Sequence, residues 1–426
     1  MGRRRMGLAG RAALVGLAVA MAAATVACGS SDDDSAGSGG GGGGGESSGG
    51  SGSSRGFDGT TITVAGIGSA ANFGDADVGA KARFKRFNDT NELEGIQIDY
   101  TEFADDRQDP AQATSEVRRL VTQEGVFGLV PDLSAVNPGE YLAQQHVPYV
   151  GMAFDNTYCS QEPDESIWGF GYNGCLVPTD PPVMPDSYRN LYSYVKDQTG
   201  EDHPSVVLFS ADNESGHNSA RLQRTGAEGA GFDVVYAEGV VPVQTSDYTP
   251  YVQDWLSADD GNPPDAIYCL LSIQCIDIWT AVKAAGFEGT FQTPLYSDLL
   301  LQPLEGTVAT VFYNTEPNDG LTQMQEDLEA FDPEAQVSAT NAYAYFAADM
   351  FIQAVKEAAP DISPESVQQA LASQTWQIEG LVGPVEYPDS TVVSTPSCNG
   401  LLQDDGQSWT VLKPYDCSDT QYPVED

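Results

Sequence analysis

The side chains with the most chemistry available to them in this 426-residue chain are its cysteines. Six lie in the body: Cys159, Cys175, Cys269, Cys275, Cys398 and Cys417. Thiols in such number either hold a metal or close disulfides. A structural zinc site asks for close Cys-x-x-Cys pairs or histidine partners. No such pair occurs, and His146, His203 and His217 are scattered. Disulfides are therefore expected, nearest neighbours first: Cys159 with Cys175, Cys269 with Cys275, and Cys398 with Cys417. Sequence alone leaves the other pairings open. Gly169-Phe170-Gly171-Tyr172-Asn173-Gly174 matches GxGxxG in letters. That motif holds pyrophosphate only between a strand and a helix. Here Cys175 and a proline-rich stretch follow, so no dinucleotide is expected. No nucleophile elbow, P-loop or HExxH occurs, and among 62 carboxylates the adjacency of two acids carries no information. No catalytic residue, metal or cofactor is expected.

Charge narrows the partners. The 62 acidic against 19 basic side chains give a formal net charge of −43. Arg3, Arg4, Arg5 and Arg11 all fall in the first 27 residues, so the rest is more acidic still. A nucleic-acid partner is excluded, because phosphate backbones are met by Lys and Arg clusters that are absent. With 41% apolar residues, 19 Tyr and 16 Phe, the body can bury a core and is not an acidic disordered tail.

The N-terminus declares a compartment. The arginines precede an apolar run over residues 8–27 and then Cys28, the order of an export signal. A membrane-spanning anchor is the competing reading, weakened by the many Ala and Gly residues of the run. Thr25-Val26-Ala27-Cys28 resembles a bacterial lipobox, in which the Cys28 thiol is diacylated and becomes the new N-terminus. Acyl chains in that number suffice for stable anchoring. Residues 1–27 thus read as a lipoprotein signal peptide. Residues 28–56, rich in Gly and Ser with seven glycines at 39–45, read as a flexible tether of roughly 30 Å reach. Export also favours the disulfides. The route, general or twin-arginine, stays open.

The residues between must supply the positions for any site. Apolar, β-branched runs at 62–65, 96–100, 126–130 and 147–150 alternate with helical stretches at 80–87, 111–123 and 139–145. After a proline-rich break the rhythm restarts. Strands are predicted at 206–210, 233–236, 266–271 and 308–313, and helices at 186–197, 218–229, 251–257 and 276–285. A long helix is predicted at 341–358, and residues 388–426 read as irregular around one strand at 409–412. Strands alternating with helices imply α/β lobes with mostly parallel sheets.

The order of residues is also informative. Gly79-Ala80, Arg83-Phe84, Phe87-Asn88, Asp105-Asp106, Asp109-Pro110, Arg119-Leu120-Val121 and Val126-Phe127-Gly128 follow one another as in type I solute-binding proteins. Further on come Gly231-Phe232, Ser246-Asp247-Tyr248, Ala285-Gly286-Phe287, Tyr343-Ala344-Tyr345 and Gly380-Leu381-Val382-Gly383-Pro384-Val385. Over about residues 60–390 the chain resembles the leucine/isoleucine/valine-binding proteins that deliver ligand to ABC transporters. No single motif is strong alone. The resemblance implies two Rossmann-like lobes with a three-crossover hinge, the type I periplasmic binding protein fold. Lobe one would comprise 57–172 plus 310–382, and lobe two 173–309 plus 383–426.

What the resemblance implies for the site can be placed residue by residue. Phe73 would lie over the ligand side chain, unless it is simply core. Ser134 would hold an amino acid's carboxylate, an ordinary helix cap being the alternative. Ala153, Asp155 and Asn156 sit where relatives offer a carbonyl and a hydroxyl; Asp155 departs from the pattern, since it would repel a ligand carboxylate. Ser215 and Ser272 stand where relatives have aromatics, which implies a ligand smaller or more polar than leucine. Tyr296 and Asp298 fall where the family places an acid for the ligand ammonium, although a solvated acid is the plainer reading. The expected function is an extracytoplasmic substrate-binding lipoprotein, a monomer without catalysis. It would capture a small polar solute, an amino acid first, and work with an ABC permease. A ligand such as an amide, urea or small organic acid, or a ligand-sensing receptor component, is the alternative.

Overall fold

A computed structural model describes residues 54–154, 156–158, 167–174, 183–242, 245–387 and 397–424. The signal peptide, Cys28, most of the tether, Asp155, Cys159 and Cys175 lie outside the described residues. Five strands form the first sheet: β1 (Thr61–Gly68), β2 (Gln97–Asp105), β3 (Gly128–Leu133), β4 (Tyr149–Gly151) and β5 (Gly169–Gly171). They run parallel in the order β2-β1-β3-β4-β5. Every residue of β3 is buried, as in a strand covered on both faces, whereas the edge strand β2 is exposed at intervals.

After β6 (Val183–Pro185) the same order returns. β7 (Ser205–Ala211), β8 (Asp233–Val241), β9 (Ala266–Cys269), β10 (Thr290–Thr293) and β11 (Val308–Val311) run parallel as β8-β7-β9-β10-β11. A hairpin of β12 (Thr375–Ile378) and β13 (Val382–Glu386) intervenes. β14 (Ser397–Asp404) and β15 (Trp409–Ser418) then extend the second sheet antiparallel beyond β11, and β16 (Gln421–Pro423) pairs with β6. The described part of 388–426 is therefore a long hairpin rather than irregular chain. Its turn is set by Asp405, whose carboxylate accepts from the backbone N–H of Gln407 at 2.9 Å and of Ser408 at 2.7 Å. Asp-Gly at 405–406 is a strong hairpin signal.

Helices α1 (Ala76–Thr90), α2 (Pro110–Arg119) and α3 (Gly139–Gln144) connect strands of the first sheet. α4 (Arg189–Thr199), α5 (Glu214–Gly229), α6 (Thr249–Trp255) and α7 (Gln274–Ala284) serve the second. α8 (Asp319–Phe331), α9 (Ala339–Ala358) and α10 (Pro364–Ser373) return to the first. α8 and α10 were not expected, although each carries its cap. The Asn318 side chain accepts from the backbone of Leu321, and Ser363 caps α10 with Pro364 at its start.

α1 and α9 pack closely where Gly79 meets the Asn341 carbonyl; a Cβ at Gly79 would sit 1.9 Å from that oxygen. One turn on, the Arg83 guanidinium, 1% exposed, donates to Asp349 at 2.6 Å and to both Glu92 oxygens at 2.7 and 3.1 Å. Trp376 donates its indole N–H to the other Asp349 oxygen at 3.0 Å, so α1, α9 and β12 share one buried network. Arg86 extends it to Asp327 on α8 at 2.7 Å.

The chain crosses between the sheets three times. Tyr172 belongs to the first core, and β6 already packs with lobe-two residues. Thr310 and Val311, placed in lobe one by the resemblance, are β11 residues of the second sheet; the return to the first core begins at Tyr313. Val385 and Tyr387 still belong to the first core, so the last crossing falls after 387 rather than at 383. The Tyr387 hydroxyl donates to the Gly171 carbonyl at 2.9 Å, tying two of the crossings together. At the other end of the first sheet, Arg55 is part of the folded body rather than the tether. Its guanidinium donates to the carbonyls of Val126 (3.1 Å), Gln145 (2.6 Å) and His146.

Candidate functional site: a cleft at ten strand ends

Parallel strands that share one direction present their carboxyl ends, and the loops after them, to one side of the sheet. Here both sheets present that side to a common cavity of about 320 Å³. Every one of the ten parallel strands contributes. From the first sheet come Asn72 and Phe73 after β1, Gln108 after β2, Ala135 after β3, Met152 to Phe154 after β4, and Tyr172 after β5. From the second come Asn213 after β7, Pro242 after β8, Leu270 to Ser272 after β9, Pro294 and Leu295 after β10, and Phe312 after β11. The start of α9 adds Thr340 and Tyr343, and residues flanking the crossings add Tyr188, Val385 and Cys398.

Local sequence explains several of these placements. Asp75 bonds the hydroxyls of Ser338 and Thr340, the former at 2.5 Å, and so ties the β1 loop bearing Phe73 to the start of α9. Asn213 caps α5 by accepting from Gly216 at 2.8 Å. Asn173 accepts from the Ala153 backbone at 3.2 Å and holds the β4 loop against the β5 loop. Cys269 and Cys275 are bonded, closing a short loop that offers Leu270, Leu271, Ser272 and Gln274 to the cavity. Cys398 and Cys417 are bonded across β14 and β15 beside it.

The residues chosen from sequence divide. Phe73, Ala153 and Ser272 line the cavity. Ser134 does not: it is fully buried, its N–H donates to Asp132 at 3.1 Å, and its hydroxyl accepts from Val136 at 3.2 Å, while the next residue, Ala135, faces the cavity. Burial pushes the Asp106 carboxyl above its ordinary value, although it accepts from the Gln108 N–H at 2.8 Å. Asp298 is exposed and opens a 3-10 turn capped by Ser297, outside the lining. Tyr296 packs its ring on Tyr313 and Trp409 instead, and burial together with the Asp298 charge pushes its hydroxyl up to about 12. Asn156 begins a 3-10 turn and Ser215 lies in the first turn of α5; their side chains, like Asp155, are outside the described residues.

The aromatic wall missing at 215 and 272 is supplied elsewhere. Tyr172 stacks on Tyr343 with ring centroids 5.5 Å apart, Tyr188 meets Phe312 edge-on at 6.1 Å, and Phe73 lies 6.3 Å from Phe154. Polar substitution at two positions therefore does not make this cleft polar, because the wall is drawn from other elements. Tyr172, Tyr188, Phe312 and Tyr343 were missed in the sequence reading. Tyr172 and Phe312 share a usable signal, the residue immediately after a parallel strand. Among the described residues no group of three His, Cys, Asp or Glu could hold a metal ion, and no helix is long and apolar enough to cross a membrane.

Two lobes of order 2-1-3-4-5 joined by three crossings, with the cleft between their strand ends, define a class of binding protein. A family model described as periplasmic binding protein matches residues 59–392, and the chain belongs to that family. Solved structures agree on the fold. A possible leucine/isoleucine/valine-binding protein from Rhodopirellula baltica is 16% identical with a TM-score of 0.67, over 83% of this chain and 97% of that one. A fatty acid ABC transporter substrate-binding protein from Thermomonospora curvata is 14% identical with a TM-score of 0.69, over 87% and 96%. A branched chain amino acid ABC transporter protein from Thermus thermophilus, with bound valine, is 14% identical with a TM-score of 0.66, over 84% and 97%. Comparison with the curated proteins returns no match.

Proposed function

We propose that this chain is the extracytoplasmic substrate-binding lipoprotein of an ABC importer, which captures a small organic solute between its lobes and performs no catalysis. The observation that carries the reading is the convergence of all ten parallel strand ends on one cavity. Ligand contacts from both lobes are made together only when the cleft is shut, so the solute shifts the population toward the closed form. The closed form is what a permease would recognise. The crossings, two of them tied through Tyr387 and Gly171, act as the hinge. Cys28 carries the acyl chains, and the tether keeps the body near the outer face of the cytoplasmic membrane. Mass spectrometry of small molecules released from gently purified protein, followed by small-angle scattering with and without the released compound, tests the reading. A released solute that contracts the particle on re-addition is expected. Turnover of that solute, or its binding without any contraction, would overturn it.

A further inference from the structure

This inference rests on the cleft being the solute site and concerns what the cleft takes. We infer that the solute is an uncharged, largely apolar molecule carrying one or two hydrogen-bonding groups, and not an anion or a zwitterionic amino acid. Rings dominate the wall: Phe73, Phe154, Tyr172, Tyr188, Phe312 and Tyr343. Between them stand neutral amides and hydroxyls, among them Asn72, Gln274 and Thr340. Among the described residues that line the cavity there is no Asp, Glu, Lys, Arg or His.

The undescribed stretches of the body supply no compensating cation either, wherever they lie. Residue 155 and residues 159–166, 175–182, 243–244 and 388–396 contain no Lys, Arg or His. An ionised carboxylate entering this cleft would give up its water without a counter-charge, a costly transfer. It would also enter the field of a chain whose formal charge is −43, which repels anions at long range. The two residues that the family resemblance offered to a zwitterion are not at the cavity: Ser134 is buried in its own turn and Asp298 is exposed elsewhere.

Three lining residues also carry polar atoms left unpaired inside the protein. The Tyr172 hydroxyl is buried, on a residue only 2% exposed, and has no hydrogen-bond partner. Asn72 Oδ1 and Gln274 Oε1 are also buried and unpartnered. A buried polar atom left unpaired is costly, so each is a place for a ligand group. Burial pushes the Tyr172 hydroxyl well above its ordinary value, so it stays a neutral donor and acceptor at physiological pH. An amide, an alcohol or a carbonyl on an apolar skeleton satisfies such a set.

Four compounds on one skeleton separate the possibilities: 3-phenylpropanamide (neutral), 3-phenylpropanoate (anion), 3-phenylpropylamine (cation) and phenylalanine (zwitterion). Titration calorimetry on the processed protein should find the amide tightest by at least about tenfold, a difference of about 1.4 kcal/mol. Its affinity should also be nearly independent of salt. A charged member that binds as tightly as the amide overturns the inference. Release of a co-purified solute that is charged at neutral pH overturns it as well, while leaving the solute-binding reading intact. Binding of none of the four, with nothing co-purified, overturns the cleft as a solute site and both readings with it. Tyr172→Phe supplies an independent readout. It should weaken the amide by roughly three- to tenfold, yet raise the melting temperature of the ligand-free protein, because it removes a buried hydroxyl that has no partner. Unchanged affinity would overturn the role given to Tyr172.

Discussion

Arg83→Met is a severe test of how lobe one is held together. The substitution keeps an apolar stem of similar length and removes a guanidinium that is 1% exposed. Three charge-assisted hydrogen bonds go with it, one to Asp349 at 2.6 Å and two to Glu92 at 2.7 and 3.1 Å. The two acids left behind differ. Glu92 is 18% exposed and keeps Lys356 at 3.2 Å, so it can turn toward water. Asp349 is 4% exposed and keeps only the Trp376 indole at 3.0 Å and Arg86 at 3.8 Å. The cost is therefore mainly that of a buried carboxylate without its main partner, about 3–5 kcal/mol. Adding Asp349→Leu should recover part of this, because a pair replaced by apolar groups is often close to neutral. The recovery is incomplete, since the Trp376 N–H then lacks an acceptor. The pH profile supplies a second readout. Burial would raise the Glu92 carboxyl, but Arg83 and Lys356 hold it below its ordinary value. Its folded value is thus below its unfolded one, so its stabilising effect is present above about pH 4.5. That contribution is lost as pH falls through the folded value, and Arg83→Met should flatten this acid limb. Urea unfolding followed by tryptophan fluorescence and far-UV circular dichroism measures both effects. A loss under about 1 kcal/mol, or strict additivity in the double variant, would refute the reasoning.

Four further outcomes are expected. Gly79→Ala should cost about 1–3 kcal/mol by overpacking, since its Cβ would lie 1.9 Å from the Asn341 carbonyl; thermal melts measure it. Burial pushes the Tyr172, Tyr192, Tyr268 and Tyr313 hydroxyls well above 10 and Tyr188 up to about 12. The unfolded chain therefore releases protons that the native one keeps, and stability should fall as pH rises from about 10; circular dichroism across an alkaline titration tests this, and a flat profile would contradict it. Cys269→Ser with Cys275→Ser should cost about 2 kcal/mol for so short a loop and also weaken solute binding, because Leu270, Leu271 and Ser272 lose their brace. Finally, Cys28→Ala should leave an uncleaved precursor or release the protein from the membrane fraction; a processed, membrane-bound variant would sink the lipid anchor.

Much of this protein is written locally. Buried parallel strands such as β1 and β3 hold short, mostly apolar stretches, and helices such as α2 and α4 show their faces, so alternating α/β order and two lobes can be read from period alone. The bonded pairs Cys269 with Cys275 and Cys398 with Cys417 are near neighbours in the chain, where proximity needs no fold to create it. Turn chemistry was present but overlooked at Asp405-Gly406 and at Ser363-Pro364, which cost the β14–β15 hairpin and α10. The cleft is different in kind. Its wall gathers a few residues from each of ten strand ends, and an aromatic that faces a cavity has the same local pattern as one that fills a core. Tyr172 and Tyr343 look like core residues in sequence, and Ser134 looks like a binding hydroxyl. Which way each one turns depends on the register of β3 and β5 within the sheet, on the approach of α9 at Gly79, and on the loop bonds of Asp75 and Asn173. Those are contacts between segments far apart in the chain, so only the tertiary structure decides them.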